Sequence, residues 1–171
     1  LKSIINAIDE QNNDEIKKTR DKTIILVGFG GGFRRTEVIS IDYEDLEFVP
    51  EGVKITIKRS KTDQFGEGMV KGLPYFSNEN YCPVINLKKW LEQSNIKSGP
   101  IFRRFAKGSI LTNWRLADQS VALLIKKYLN LAGIENANYS GHSLRSGFAT
   151  VAAESGADER SIMAMTGHKT T

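Results

Sequence analysis

Apolar spacing changes character twice along the chain. At the start, Ile4, Ile5 and Ile8 fall on one side of a helix that ends in the polar loop Asn12-Asn13-Asp14. A second helix is expected from about Lys22 through Ile24, Ile25, Leu26 and Val27, stopping at Gly28-Phe29-Gly30-Gly31-Gly32. A short helical turn from Arg34 to Ser40 follows. The period then becomes two: Val53, Ile55 and Ile57 point one way, Lys54, Thr56 and Lys58 the other. Leu46 to Val49 precedes this strand across Pro50-Glu51-Gly52, which reads as a hairpin. Met69 to Tyr75 supplies a third strand after the polar loop Thr62 to Gly68.

From Cys82 onward the spacing is helical again. Pro83 suits a first turn, with Val84, Leu87 and Leu91 behind it. Asp118 is expected to cap a helix carrying Val121, Leu124, Ile125, Tyr128 and Ala132. Leu144, Phe148, Val151 and Ala152 form another stripe closed by Gly156, and Asp158 opens a short helix through Ile162 and Met165 that closes at Gly167. The pattern predicts a single α+β domain, mostly helical, with a small three-stranded antiparallel sheet.

Composition narrows the class. The 171 residues, 40% hydrophobic and 26% charged, suit one globular domain and exclude collagen, coiled coil and wholesale disorder. No apolar run reaches the ~18 residues of a membrane span. The opening Leu1-Lys2-Ser3-Ile4-Ile5 lacks the pattern of a signal peptide and an initiator Met, so the chain is expected to be a piece of a longer one. A single cysteine, Cys82, leaves no internal disulfide and suits a reducing cytoplasm. Lys plus Arg is 24 against 20 for Asp plus Glu, a net +4. The distribution matters more than the total. Acids gather at 9–15 and 42–51, bases at 54–61 and 103–107, which leaves one face for a polyanion.

Four short constellations carry candidate chemistry. Gly28 to Gly32 suggests a dinucleotide loop, but Phe33 stands where the third glycine belongs and no parallel βαβ pattern follows. Its plainer reading is a tight turn. That turn delivers Arg34 and Arg35 to a helix start, where a guanidinium fork and free backbone N–H groups suit phosphate oxygens. Gly141-His142-Ser143-Leu144-Arg145 sets His142 and Arg145 on one helical face, with Leu144 turned inward beside Phe148. Arg59-Ser60-Lys61-Thr62 lies between two strands, where a mobile Lys61 can donate a proton. Thr166-Gly167-His168 ends the chain's last helix. Taken singly, each also reads as a solvated surface feature.

Taken in order, they resemble the catalytic domain of the tyrosine recombinase (phage integrase) family. The residues carrying the resemblance are Gly32-Phe33-Arg34-Arg35-Thr36-Glu37, Ser60-Lys61-Thr62, His142-Ser143-Leu144-Arg145 and Gly167-His168, spread over nearly the whole chain. The resemblance implies the fold of DNA breaking-rejoining enzymes and cleavage through a 3′-phosphotyrosine, with no metal, nucleotide or other cofactor. Arg34 and Arg145 would hold the non-bridging oxygens of the scissile phosphate. Lys61 would protonate the departing 5′-oxygen. His142 would act as general base or phosphate donor, and His168 would hydrogen-bond the phosphate. Glu37 would buttress Arg34, while Arg35, Lys58 and Arg59 would contact DNA. The implied partner is double-stranded DNA, bound by a homotetramer on paired sites.

One departure stands out. The family's nucleophilic tyrosine belongs beyond His168, whereas the sequence stops at Thr171, and Tyr43, Tyr75, Tyr81, Tyr128 and Tyr139 do not match its position. These 171 residues are therefore expected not to cleave DNA alone, and to lack the family's amino-terminal DNA-binding arm. A non-catalytic DNA-binding module, a type IB topoisomerase and a nucleotide-binding enzyme are the alternatives. Trp90 and Trp114 are expected to be core or edge aromatics. Arg103, Arg104 and Lys107 suit either a DNA backbone or a solvated face.

Overall fold

The computed structural model describes residues 1–11, 14–58 and 68–134. Five helices and two antiparallel sheets occur among them: α1 (Lys2–Asp9), α2 (Glu15–Gly31), α3 (Arg35–Ser40), β1 (Leu46–Val49), β2 (Gly52–Ile57), β3 (Met69–Pro74), α4 (Pro83–Ser94), β4 (Arg103–Ala106), β5 (Ile110–Arg115) and α5 (Asp118–Leu131). The stripes expected over 144–156 and 158–167 lie outside the described residues. So do Arg59, Lys61, His142, Arg145 and His168.

The first element follows its spacing: Ile4, Ile5 and Ile8 of α1 are buried. The second is longer than expected at both ends. It begins at Glu15 because Thr19, Arg20, Asp21, Lys22 and Thr23 are buried as well as the apolar run after them. α2 packs against α1, α3, α4, α5 and β3, so it is enclosed all round and shows no polar face. Its buried polar groups are each engaged. Thr23 Oγ1 donates to the carbonyl oxygens of Thr19 (2.7 Å) and Asn86 (3.1 Å). Asp21 accepts from the Arg20 guanidinium at 2.8 Å and from the Tyr128 hydroxyl at 2.6 Å. Lys22 pairs with Asp9 at 3.1 Å and bonds Asn80.

At its carboxyl end α2 continues through Gly28, Gly30 and Gly31 rather than stopping among them. A Cβ on Gly30 would lie 3.2 Å from Pro83 Cγ, and one on Gly31 would lie 2.4 Å from the Phe33 ring. The glycines here allow close packing, and only Gly32 makes the turn, at φ +61°.

The three-stranded sheet has the order β1-β2-β3, with Phe48 opposite Val53, Val53 opposite Leu73 and Ile55 opposite Lys71. Val53, Ile55, Ile57 and Leu73 are buried, as the alternation requires. α4 and α5 keep their expected stripes. Trp90 is fully buried, with its indole N–H donating to the Ile101 carbonyl at 2.7 Å. Asp118 is the first residue of α5 rather than its cap, which is Ala117.

The helical expectation after Cys82 fails over 103–115. These residues form an antiparallel ribbon, with Phe105 opposite Leu111 and Ala106 opposite Ile110. The chain reverses at Gly108 (φ +83°) and Ser109 (φ +60°). Ile110 and Trp114 are exposed on this ribbon, 64% and 68%, and only the facing pair Phe105 and Leu111 packs against the core, which is too little for spacing to register. Arg103 is committed to structure, donating to the carbonyls of Pro100 (2.6 Å) and Ser98 (2.5 Å).

Gly52 and Gly108 both sit at positive φ, but only Gly52 is crowded: a Cβ there would come 1.9 Å from the Leu73 carbonyl oxygen, while nothing lies within 4 Å at Gly108. Gly108→Ala is therefore expected to cost about 1–2 kcal/mol, the backbone penalty alone. Gly52→Ala is expected to cost more, because the β2–β3 ladder has to open. Urea midpoints at unchanged m-value measure both; equal losses would contradict this packing.

Candidate functional site

The α2 carboxyl terminus sets the geometry. The Gly32 N–H donates to the Phe29 carbonyl at 3.3 Å and the Phe33 N–H to the Gly28 carbonyl at 3.0 Å. These are the two bonds of a Schellman motif, with Gly32 left-handed and Phe33 buried as its apolar anchor. The backbone leaves the turn extended at Arg34 (φ −74°, ψ 156°), which is the N-cap of α3. The loop between two helices is thus only a few residues long, and it places Arg34 by covalent geometry at the meeting of one helix's end and another's beginning.

Glu37 completes that start. It is buried, and its Oε1 accepts the Arg34 backbone N–H at 2.7 Å. This is the glutamate half of a capping box; a guanidinium has no acceptor with which to return the bond. Glu37 thus holds the Arg34 backbone rather than its side chain. Arg34 is half-buried, and among the described residues no acceptor engages its guanidinium. Arg35 is the first residue of α3 and also half-buried.

Lys58 directly follows β2. Its ammonium lies 2.6 Å from Asp42 and 3.3 Å from Asp45. The Arg115 guanidinium reaches the other Asp42 oxygen at 2.6 Å and the Ile39 carbonyl at 2.7 Å. Asp42 therefore joins the exit of α3, the end of β2 and the end of β5. Burial pushes its carboxyl up, but the hydrogen bonds from Lys58 and Arg115, with their charges, outweigh this and hold it below the usual carboxylate value. The Asp42 hydrogen bond holds the Lys58 ammonium above its ordinary value against a smaller desolvation effect. Lys58, expected to contact DNA, thus spends its charge on two carboxylates in the unbound chain.

Two contributors escaped the sequence reading. One is the Asp42–Arg115 link, whose members are far apart in sequence. The other is Lys71, whose ammonium donates to the Gly31 and Gly32 carbonyls, each at 3.2 Å, and sits 4.7 Å from the Phe33 ring centre. The alternation Met69, Lys71, Leu73 was the available signal, since it puts a lysine in phase with a buried leucine.

Three of the described tyrosines have other employment. Burial, then the neighbouring Asp21 charge, pushes the Tyr128 hydroxyl well above its usual value. The Tyr81 hydroxyl donates to Asn6 at 3.0 Å, and the Tyr75 hydroxyl accepts from Lys88 at 2.6 Å.

No described helix is long and apolar enough to cross a membrane. The family profile described as "Phage integrase family" matches residues 1–171. An "Integrase/recombinase xerD homolog" from Selenomonas ruminantium is 46% identical over 158 residues, covering 92% of this chain and 46% of the relative. "Tyrosine recombinase XerD" of Corynebacterium glutamicum is 27% identical over 168 residues, covering 96% of this chain and 50% of that one. The chain thus spans about half the length of the curated relatives it matches. In fold it is similar to XerH, a site-specific recombinase solved bound to a palindromic difH substrate, with TM-score 0.66 at 22% identity over 99% of this chain and 44% of XerH. It is likewise similar to XerA recombinase, with TM-score 0.62 at 22% identity over 99% of this chain and 54% of XerA.

The Asp42 bracket gives a pH prediction. A depressed carboxyl stabilises the fold above its ordinary value of 3.8, and that stabilisation is lost as pH falls through the lower folded value. A raised lysine stabilises below its ordinary 10.5 and loses this only as pH rises through the higher folded value. The stability difference between wild type and Asp42→Asn is therefore expected to be flat from about pH 5 to 9 and to shrink below about pH 4. Because Lys58 is half-exposed, its size is expected to be about 1 kcal/mol. A difference that grows on acidification would contradict the bracket.

Proposed function

We propose that this chain, which belongs to the phage integrase family, is the catalytic domain with which a tyrosine recombinase cuts and rejoins double-stranded DNA at specific sites. The observation that carries the reading is Arg34: a half-buried guanidinium with no acceptor among the described residues, fixed at the short turn between α2 and α3. A cation held that way is preorganised for an anion that arrives from outside.

In this reading Arg34 and Arg145 hold the two non-bridging oxygens of the scissile phosphate. Their charge offsets the negative charge that builds as phosphorus becomes five-coordinate. A tyrosine oxygen attacks phosphorus and the P–O5′ bond breaks, so one phosphate ester replaces another. Lys61 gives the departing 5′-oxygen its proton. His142 takes the tyrosine's proton or bonds the phosphate, and His168 donates to a phosphate oxygen. The reverse attack by a 5′-hydroxyl rejoins the strand and frees the tyrosine. Because the ester energy is conserved, no metal or nucleotide is required.

The placement of Tyr75, Tyr81 and Tyr128, each with its hydroxyl in another contact, supports a nucleophile from outside this set. Residues 1–171 alone are proposed not to cleave, because none of Tyr43, Tyr75, Tyr81, Tyr128 and Tyr139 matches the position of the family's nucleophile. The paired sites of strand exchange fit a homotetramer of the parent protein. Arg35 and Arg59 supply backbone contacts, and Lys58 joins them once a phosphate displaces Asp42.

The test uses the full-length protein and nicked duplexes carrying candidate sites. An SDS-resistant protein–DNA band that protease removes is expected. It should fall by at least about 100-fold in Arg34→Ala and in Arg145→Ala, since each removes a preorganised charge. Supercoil relaxation without exchange between sites would favour a type IB topoisomerase. Salt-dependent DNA binding with no covalent band would favour a non-catalytic module.

A further inference from the structure

We propose that Lys71 is a positioning residue for Arg34, coupling β3 to the turn that presents the arginine. The register places Lys71 directly opposite Ile55, on the same face of the sheet as the buried Val53, Ile55 and Leu73. A lysine on a core-facing position is desolvated unless its ammonium finds acceptors. Here it finds the carbonyls of Gly31, the last residue of α2, and of Gly32 just beyond it, at 3.2 Å each, and the face of the Phe33 ring at 4.7 Å. Those three residues are the ones immediately before Arg34.

Physical reasons favour a structural anchor over a loose surface contact. The carbonyls of a helix's last turn lack intrahelical donors and carry the negative end of the helix dipole, so a cation there is held by charge as well as by hydrogen bonds. The ring contact fixes Phe33, which is fully buried and is itself the apolar anchor of the Schellman turn. The Arg34 backbone is tied from the other side by Glu37. Between them, Lys71 and Glu37 leave the backbone on either side of Arg34 little freedom. A displacement of about 1 Å at a catalytic group can cost about 100-fold in rate, so a cation that only holds the turn has a large lever on the chemistry.

This inference rests on the reading that Arg34 holds the scissile phosphate, and the experiment separates the two. Single-turnover formation of the covalent band is measured at saturating full-length protein, alongside DNA affinity as a function of salt. The variants are Lys71→Met, which keeps the stem over Phe33 and deletes the charge, and Lys71→Arg, which restores a cation. Lys71→Gln serves in place of Lys71→Met if the latter does not melt cooperatively.

The neutral variant is expected to form the band about tenfold more slowly. Its DNA affinity and salt slope should stay near wild type, and Lys71→Arg should recover most of the rate. In an Arg34→Lys background the same neutral substitution should add less than about twofold, because the group it positions is already altered. A neutral variant as fast as wild type would overturn the inference. A salt slope lower by about one unit with an unchanged single-turnover rate would overturn it too, making Lys71 a phosphate contact. An equal slowing in both backgrounds would make it a general structural residue. If wild type forms no band at all, the recombinase reading fails and this inference with it.

Discussion

A helix enclosed on every side can release its chain only at its ends, and the carboxyl end of α2 is where this molecule brings its candidate chemistry to the surface. The left-handed Gly32 reverses the backbone within one residue, and the buried Phe33 locks that reversal to the core. Arg34 then follows with no slack. Had α2 ended in a longer loop, the same arginine would have lost side-chain and backbone freedom on binding a phosphate. The short turn means that folding has already met most of that cost.

The burial of α2 explains why its polar residues look as they do. Arg20, Asp21 and Tyr128 form a closed set, with Arg20 also donating to the Arg103 carbonyl at 3.0 Å. Breaking such a set strands a buried charge, which is more costly than never having placed one. The set joins α2 to α5 and to the β4–β5 ribbon, so the elements around the Arg34 turn are referred to one central helix. The Asp42 bracket does the same work on the opposite flank, joining α3, β2 and β5 through Lys58 and Arg115.

How legible this was depended on whether a residue's neighbour in space was also its neighbour in pattern. The isoleucines of α1 and the alternation of β2 were readable because each has one wet face and one dry face. α2 was read too short because Thr19 to Thr23 look like surface residues. Only their partners on α1, α4 and α5 reveal that they are inside. The β4–β5 ribbon left little signal, because only Phe105 and Leu111 pack against the core while Ile110 and Trp114 are exposed. At the site, Arg34 and Glu37 were readable as a motif. That Glu37 holds the arginine's backbone rather than its side chain was not, and nor was the engagement of Lys58 with Asp42 and Asp45. Lys71 was visible in phase with Leu73, yet a lysine among strand residues is ordinarily taken to face water.

The central claim is that the Gly32–Arg34 turn is a phosphate site built before DNA arrives. The most direct measurement is a crystal structure of the full-length protein on a nicked duplex, compared with the unbound protein. The account predicts the Arg34 guanidinium at about 2.7–2.9 Å from a non-bridging oxygen of one phosphate. The Gly32 turn and the Glu37 bond to the Arg34 backbone should be unchanged on binding. A phosphate held elsewhere with Arg34 turned away, or a turn that forms only on the DNA, would contradict it.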